Sequence, residues 1–164
     1  MTGDTFRSIT SSIRNRSGAP RRFLIFDKIL TALVAVSYIF LFIYNRGSLY
    51  RGIITFAVPL TGLVFVSVLR ALSGEERPYE KYNFEPVIPK DTQKHSFPSR
   101  HVFSAAVIAG TSVIFCPAAG IWLIFLTVLI AVMRVICGLH YVHDVVAGAI
   151  MGLAWGVFGT IIMI

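Results

Sequence analysis

The feature that most constrains the fold is an uncharged stretch of 32 residues, 102–133. As one helix it would be about 48 Å long, whereas the hydrocarbon core of a bilayer is about 30 Å thick. The stretch is interrupted at residues 116–120, which read Cys-Pro-Ala-Ala-Gly. Because proline and glycine typically end helices, we predict two membrane-spanning helices joined by a tight turn.

Three further apolar segments are long enough to cross a bilayer, namely residues 23–44, 52–69 and 145–164. Hydrophobic residues make up 55% of the chain and charged residues only 14%, which excludes an ordinary soluble domain. The pattern therefore predicts an all-α, multi-pass transmembrane helical bundle with about five spanning helices.

The chain divides into a basic N-terminal arm, residues 1–22, and a membrane domain, residues 23–164. Three apolar residues of the arm fall on one helical face with arginines at its edges, and these are Phe6, Ile9 and Ile13. This pattern predicts a short helix lying on the membrane. The alternative is a disordered tail rich in serine and threonine.

Glycines recur along one face of the last apolar segment, at Gly148, Gly152, Gly156 and Gly159. Small residues at this spacing let two helix backbones approach closely in lipid. We therefore predict close helix packing through this face. A homo-oligomer formed through the same face is the alternative.

The strongest chemical signal is the series Arg134, His140 and Asp144, which has the spacing Arg-x5-His-x3-Asp. On a helix, His140 and Asp144 would share one face. A carboxylate beside an imidazole fixes its tautomer and stabilises its cation, so the other ring nitrogen can act as nucleophile or base. The planar guanidinium of Arg134 suits phosphate. Polar groups between two apolar segments indicate a functional site.

Two further clusters lie upstream, each at a predicted membrane boundary. The first consists of Arg70 and the pair Arg77-Pro78, and the second is residues 98–101, Pro-Ser-Arg-His. Alternate helix ends meet at one membrane face, so we expect all three clusters to converge there. The long polar loop, residues 73–97, contains the pair Arg77-Pro78 and leads to the second cluster. It either covers the site or is a simple connector.

Taken in order, the three clusters resemble the type 2 phosphatidic acid phosphatase superfamily of membrane lipid phosphatases, which also includes vanadium haloperoxidases. Its pattern is Lys-x6-Arg-Pro, then Pro-Ser-Gly-His, then Ser-Arg-x5-His-x3-Asp. The resemblance covers roughly residues 70–144. The chain departs from the pattern at three positions, where Arg70 replaces lysine, Arg100 replaces glycine and Met133 replaces serine.

The resemblance implies a role for each matched residue. His140 would form a phosphohistidine, Asp144 would orient it, and His101 would protonate the leaving oxygen. The phosphate-binding residues would be Arg70, Arg77, Ser99, Arg100 and Arg134. The implied reaction is hydrolysis of a lipid phosphomonoester or diphosphate, such as phosphatidate, phosphatidylglycerophosphate or polyprenyl diphosphate. It would use no metal and no other cofactor, because arginines supply the positive charge.

Three alternatives stay open at this point. His101, His140 and Asp144 are also metal-ligand types, although three nearby arginines would repel a cation. Arg100 stands where the family pattern has glycine, so the alternative of a catalytically inactive relative that binds anionic lipid stays open. A phosphotransferase would share the first half of the reaction. The remaining histidines, His95 and His143, match no position of the pattern and are predicted to be structural or surface groups.

The net charge of +7 bears on partners and orientation. The basic residues are divided among membrane-flanking segments, which excludes a nucleic-acid-binding face and leaves the bilayer and a lipid phosphate as partners. With the phosphate-site arginines set aside, nine basic residues flank the predicted site side and two the opposite side. The positive-inside rule therefore predicts an active site that faces the cytoplasm.

Overall fold

The computed structural model describes residues 2–90 and 94–164, which form seven helices and no strand. The predicted all-α class is confirmed. In chain order the helices are α1 (Gly3–Arg14), α2 (Ala19–Asn45), α3 (Leu49–Ser73), α4 (Pro78–Lys81), α5 (Arg100–Phe115), α6 (Pro117–Ile136) and α7 (Val142–Met163).

Four helices, α2, α3, α6 and α7, are long and apolar enough to cross a membrane. The fifth, α5, is apolar but has only 16 residues, which corresponds to about 24 Å. The five predicted apolar helices are therefore present. Their ends extend a few residues beyond the predicted bounds, since α2 begins at Ala19 and α3 at Leu49.

The predicted break in the uncharged stretch is confirmed. Cys116 is the one residue between α5 and α6, and Pro117 takes the first position of α6, where its missing N–H costs nothing. The two helices then turn back on each other closely. A Cβ atom at Gly120 would lie 2.6 Å from the backbone nitrogen of Val113. Because α6 separates them, Cys116 and Cys137 are both free thiols.

The central helix is α5, which packs against α7 through the predicted glycine face. A Cβ atom at Gly152 would lie 2.5 Å from the carbonyl oxygen of Phe103, and one at Gly148 would lie 2.9 Å from that of Ser99. Gly156 approaches Gly110 and the carbonyl of Val107 in the same way. The predicted close packing is thus present within one chain. Association of two copies stays a prediction.

The outer helices α2 and α3 present large apolar side chains on their outward surfaces, for example Val36, Phe40, Leu49 and Phe56. Such surfaces are stable against lipid rather than water. The observed multi-pass bundle is therefore a membrane architecture, with α5 inside it.

Helix α1 packs against the rest of the chain. Phe6 is only 1% exposed, and its ring lies 6.0–6.3 Å from the rings of Tyr82, Phe84 and Tyr141. Residues of the arm thus form a helix, whose buried pair is Phe6 and Thr10. Its position on the membrane stays a prediction. Its aromatic contacts place α1 beside the turn that precedes α7.

Candidate active site

The turn between α6 and α7 carries His140 and is built around Gly138. Gly138 has a φ of +72°, a left-handed conformation that favours glycine. The backbone N–H groups of Leu139 and His140 both donate to the carbonyl of Arg134, at 3.0 and 3.3 Å. This fold of the backbone ends α6 and directs His140 into the protein, where it is 2% exposed.

Asp144, in the first turn of α7, fixes the orientation of His140. Its Oδ2 lies 3.3 Å from the Nδ1 atom of His140 and accepts the backbone N–H of Tyr141 at 3.0 Å. The Nε2 atom of His140 is therefore the nitrogen left to react. Burial lowers the pKa of His140 to about 4; Arg77 and Arg70 act in the same direction, and Asp144 opposes them. The ring is thus neutral at pH 7.

Ser96 completes this arrangement, although no part of the sequence pattern indicated it. Its hydroxyl donates to the Oδ2 of Asp144 at 2.5 Å and lies 3.5 Å from the Nδ1 of His140. Ser96 is fully buried, and its backbone N–H donates to the carbonyl of Glu75 at 2.8 Å. The long polar loop thereby contributes directly to the histidine–aspartate pair.

Backbone hydrogen bonds bring the three sequence clusters together. The N–H of Ser99 donates to the carbonyl of Asp144 at 3.0 Å. The guanidinium of Arg70 donates to the carbonyl of Pro98 at 2.5 Å. That of Arg77, which is buried, donates to the carbonyl of Leu139 at 3.4 Å. The expected convergence is therefore present, with Arg70 and Arg77 beside both other clusters.

Arg134 is buried and pairs with a carboxylate from another helix. Its Nη2 lies 3.0 and 3.2 Å from the two carboxylate oxygens of Asp27 on α2. Its Nε atom is buried and has no hydrogen-bond partner among the described residues. The signal for Asp27 was present in the sequence, since a carboxylate near the end of an apolar helix is costly without a partner.

Ser99 occupies the N-cap position of α5 but its side chain makes no capping hydrogen bond. The hydroxyl is buried and has no partner within the described part of the chain. Buried polar groups are nearly always hydrogen-bonded. Ser99 Oγ and Arg134 Nε are therefore two buried donors without acceptors, both on residues adjoining the histidine–aspartate pair.

Two cavities meet at Arg100. The first, of about 330 Å³, is lined by Ser67, Ala71 and six cationic or ionisable side chains, which are Arg70, Arg77, Lys90, Lys94, His95 and Arg100. The second, of about 190 Å³, is mainly apolar and lies among Val34, Leu63, Ala105 and Ile130. Arg100 lines both, so a charged compartment adjoins an apolar one at the start of α5.

Lys90 and His101 extend the site beyond the arginines. Burial, together with the charges of Arg77 and Arg134, lowers the pKa of Lys90 to about 8, so this loop lysine lies among the site cations. His101 lines the apolar cavity, and Arg134, Lys90 and His140 are close enough to act on it electrostatically. Sequence reasoning identified His101 but counted Lys90 only as a flanking charge.

His143 was predicted to be a structural or surface group, and it is 57% exposed. It also contacts the site: its Nε2 lies 3.2 Å from Glu75 Oε1 and 3.0 Å from Asp144 Oδ1. Among the described residues this trio is the one cluster close enough to hold a metal ion. The alternative metal set of His101, His140 and Asp144 is not assembled.

Comparisons with known proteins identify the family and agree with the observed fold. The sequence profile of the PAP2 superfamily matches residues 51–163. No curated protein sequence matches the chain. A transmembrane PAP2-type phosphatidylglycerolphosphate phosphatase from Bacillus subtilis has a similar crystal structure, with a TM-score of 0.68 and 21% identity; the match covers 95% of this chain and 83% of that one. LpxE of Aquifex aeolicus is similar with a TM-score of 0.71 and 23% identity, over 95% and 92% of the two chains. Both similarities show a shared fold.

Proposed function

Because the chain belongs to the PAP2 superfamily, we propose that it is an integral membrane phosphatase that hydrolyses a lipid phosphomonoester or diphosphate. The observation that carries the proposal is a pair of buried donors without acceptors, Ser99 Oγ and Arg134 Nε. The backbones of these two residues are hydrogen-bonded to Asp144 and His140. Phosphoryl oxygens accept hydrogen bonds from such donors, and charge stabilisation is the main demand of phosphoryl transfer.

In the first step, the Nε2 lone pair of His140 attacks phosphorus and the bond from phosphorus to the ester oxygen breaks. His101 gives a proton to the departing oxygen, which leaves as an alcohol or, from a diphosphate, as a phosphate monoester. Asp144 stabilises the positive charge that develops on the His140 ring, because its Oδ2 faces Nδ1. The product is a phosphohistidine.

In the second step, water attacks phosphorus and the bond from phosphorus to Nε2 breaks. His101, now without its proton, removes a proton from the water. Inorganic phosphate leaves and His140 is neutral again. Throughout, Arg70, Arg77 and Arg134 face the phosphoryl oxygens, together with Ser99 Oγ and the backbone N–H of Arg100 at the start of α5. These cations take the electrostatic role that metal ions have in other phosphatases.

The paired cavities support an amphiphilic substrate. The cationic cavity offers positive charge to a phosphate group, and the apolar cavity that shares Arg100 with it lies among α2, α3, α5 and α6. Arg100, which lines both, would mark the junction between headgroup and chain. Phosphatidylglycerophosphate is the first substrate to assay, since the similar Bacillus subtilis protein is described as its phosphatase. The other two substrates to assay are phosphatidate and polyprenyl diphosphate.

The decisive experiment measures phosphate release by the purified protein in detergent, with those three lipids, in the presence of excess EDTA. We expect hydrolysis of at least one lipid, unaffected by EDTA and inhibited by vanadate, whose trigonal bipyramidal adduct mimics the transition state. Activity lost in EDTA and restored by Mg²⁺ would contradict the arginine-based mechanism. Binding without phosphate release would favour the inactive relative. Transfer to an added alcohol in preference to water would favour the phosphotransferase.

We further propose that the active site faces the cytoplasm, from the excess of basic residues on its side. Single cysteines at Ser12 on α1 and Gly47 between α2 and α3 test this in a background that lacks Cys116 and Cys137. Ser12 and Gly47 are both exposed. A membrane-impermeant thiol reagent on intact cells should label position 47 and leave position 12 unlabelled. The opposite result would place the site on the outer face.

A further inference from the structure

The second carboxylate oxygen of Asp144 lies outside the catalytic arrangement. Oδ2 is used by His140, Ser96 and the Tyr141 N–H, whereas Oδ1 points to the Nε2 atom of His143 at 3.0 Å. That nitrogen is also 3.2 Å from Glu75 Oε1. One carboxylate therefore links the buried catalytic histidine to an exposed histidine and a second carboxylate.

Protein hydrogen bonds do not satisfy this trio. An imidazole nitrogen carries at most one proton, and the hydrogen bond of His143 goes to Glu75. The Oδ1 atom of Asp144, on a fully buried residue, is left without a hydrogen-bond partner among the described residues. Its one close neighbour of opposite charge within the described chain, His143 Nε2 at 3.0 Å, is shared with Glu75. An incompletely satisfied buried carboxylate oxygen is costly, and a bound cation would remove that cost.

The geometry suits a small divalent transition metal. The three candidate ligand atoms all lie within 4.8 Å of one another, and ligands placed about 2.0–2.2 Å from Zn²⁺ in a tetrahedron are separated by about 3.5 Å. The His143 ring is held in place between aromatic neighbours, since it stacks on Tyr141 at 5.1 Å and lies 6.1 Å from Phe97. A fixed imidazole orientation is typical of metal sites.

Charge and access also favour a cation here. Glu75 and Asp144 bring two negative charges to the three ligand atoms. Both of them and Glu76 act electrostatically on the neighbouring Tyr141. Glu75 and His143 are partly exposed, with side-chain exposures of 38% and 57%. Solvent therefore reaches the cluster directly, and water can fill the fourth coordination position.

We propose that Glu75, His143 and Asp144 form a binding site for one divalent transition-metal ion of the Zn²⁺ type, and that its occupation inhibits the phosphatase. On binding, the metal takes the place of the proton at Nε2 of His143, the ring keeps one proton at Nδ1, and any excess proton is released to water. Bonds form from the metal to Nε2, Glu75 Oε1 and Asp144 Oδ1. The metal draws the Asp144 charge away from His140, so the positive charge on the attacking ring is less stabilised. The inhibitory part rests on the proposed phosphatase function.

The test uses the purified full chain, freed of metal, with Co²⁺ as a spectroscopic probe and Zn²⁺ as the competitor. We expect one Co²⁺ per chain, with the visible absorption of a four-coordinate site that one equivalent of Zn²⁺ removes. Zn²⁺ should lower phosphate release at least about tenfold, and EDTA should restore it. Glu75→Gln and His143→Gln should weaken Zn²⁺ binding about 10–100-fold, lose the inhibition and keep basal activity.

Glu76→Gln is the matched control, because it removes a neighbouring carboxylate that is outside the trio; it should bind and be inhibited like the original chain. Absence of a Co²⁺ spectrum, or equal binding by the original chain and His143→Gln, would overturn the site. Binding without inhibition would overturn the coupling to Asp144. Binding by a protein that releases no phosphate from any lipid would contradict the proposed function and leave the metal site standing.

Discussion

The inner helices α5 and α7 and the outer helices α2 and α3 contribute to the site in different ways. The inner pair is packed backbone to backbone through glycines and supplies His101, Asp144 and the N-cap Ser99, with His140 just before α7. The outer pair faces outward with large apolar side chains. Within the described residues it adds two charged side chains to the site, Asp27 and Arg70.

In the proposed mechanism, the groups that exchange bonds or protons, His140 and His101, lie on or next to the inner pair. Groups that form and break bonds must be held to within a fraction of an ångström, which a tightly packed helix pair achieves. Asp27 acts indirectly, because it pairs with Arg134. Arg70 also donates to carbonyl groups of the loop. Changes on the inner pair should therefore cost most, and changes on the outer pair should alter rate or affinity by smaller factors.

The largest expected effect is that of His140→Ala. Loss of the covalent nucleophile should lower kcat by at least about 10³-fold. The pH profile sharpens this expectation. Since His140 has a pKa of about 4 and must be unprotonated to attack, kcat/KM should fall as the pH drops through about 4, rather than near 6.5. Both are measured as phosphate release.

Trapping provides the control for that result. The reaction is started with a lipid whose phosphate carries a phosphorus label and is stopped rapidly at alkaline pH. The original chain should then carry acid-labile, labelled phosphate, and His140→Ala should carry none. Labelled phosphate that persists on the variant would show that another residue is the nucleophile. The inner helix pair would then not hold the reacting group.

The next effect is that of His101→Ala, which should lower kcat about 10²–10⁴-fold on a lipid phosphate, the range for general acid–base catalysis. The loss should shrink for a substrate such as p-nitrophenyl phosphate, whose leaving group needs no proton. Equal losses on both substrates would show that His101 positions the phosphate rather than protonating the leaving oxygen.

The packing itself is tested by Gly152→Ala, compared with Gly52→Ala on α3. A Cβ at Gly152 would lie 2.5 Å from the Phe103 carbonyl, whereas one at Gly52 meets nothing within 4 Å. Overpacking should destabilise the first variant by about 1–3 kcal/mol. The second should gain up to about 1 kcal/mol from helix propensity. Thermal unfolding in detergent measures both, and equal midpoints would mean that the inner pair is not tightly packed.

Sequence alone predicted the inner pair well, because its signals are local. Periodic glycines, a proline break and the spacing of His140 and Asp144 each depend on a few neighbouring residues. Ser96 and the contact of His143 with Glu75 could not be predicted, since they depend on how the loop of residues 73–97 folds back over the helices. Residues 91–93 of that loop lie outside the described structure. The Asp27–Arg134 pair joins helices far apart in sequence, and only a three-dimensional arrangement shows it.

The outer pair is tested by Asp27→Asn. Asn preserves the size of the side chain but not its charge, so Arg134 loses an ionic partner and is held less firmly against phosphate. We expect kcat/KM to fall on the order of tenfold, as for a modest displacement of a binding group. Asp4→Asn, at an exposed position on α1, is the control and should change nothing. A rise in activity would show that Asp27 competes with phosphate for Arg134.

The smallest effect should come from Arg100→Gly, at the junction of the two cavities. The Arg100 side chain is exposed. Its backbone N–H at the start of α5 is retained in the variant, so kcat/KM should stay within about threefold, less than the worth of one buried hydrogen bond. Arg100→Ala separates the two consequences of the change, since it removes the side chain without loosening the backbone. A large loss in both variants would show that the guanidinium binds the headgroup, and the phosphate site would then extend along α5 toward the lipid. A large loss in the glycine variant alone would instead show that the start of α5 must be rigid. The backbone that binds phosphate would then have to be held as firmly as the packed helix pair.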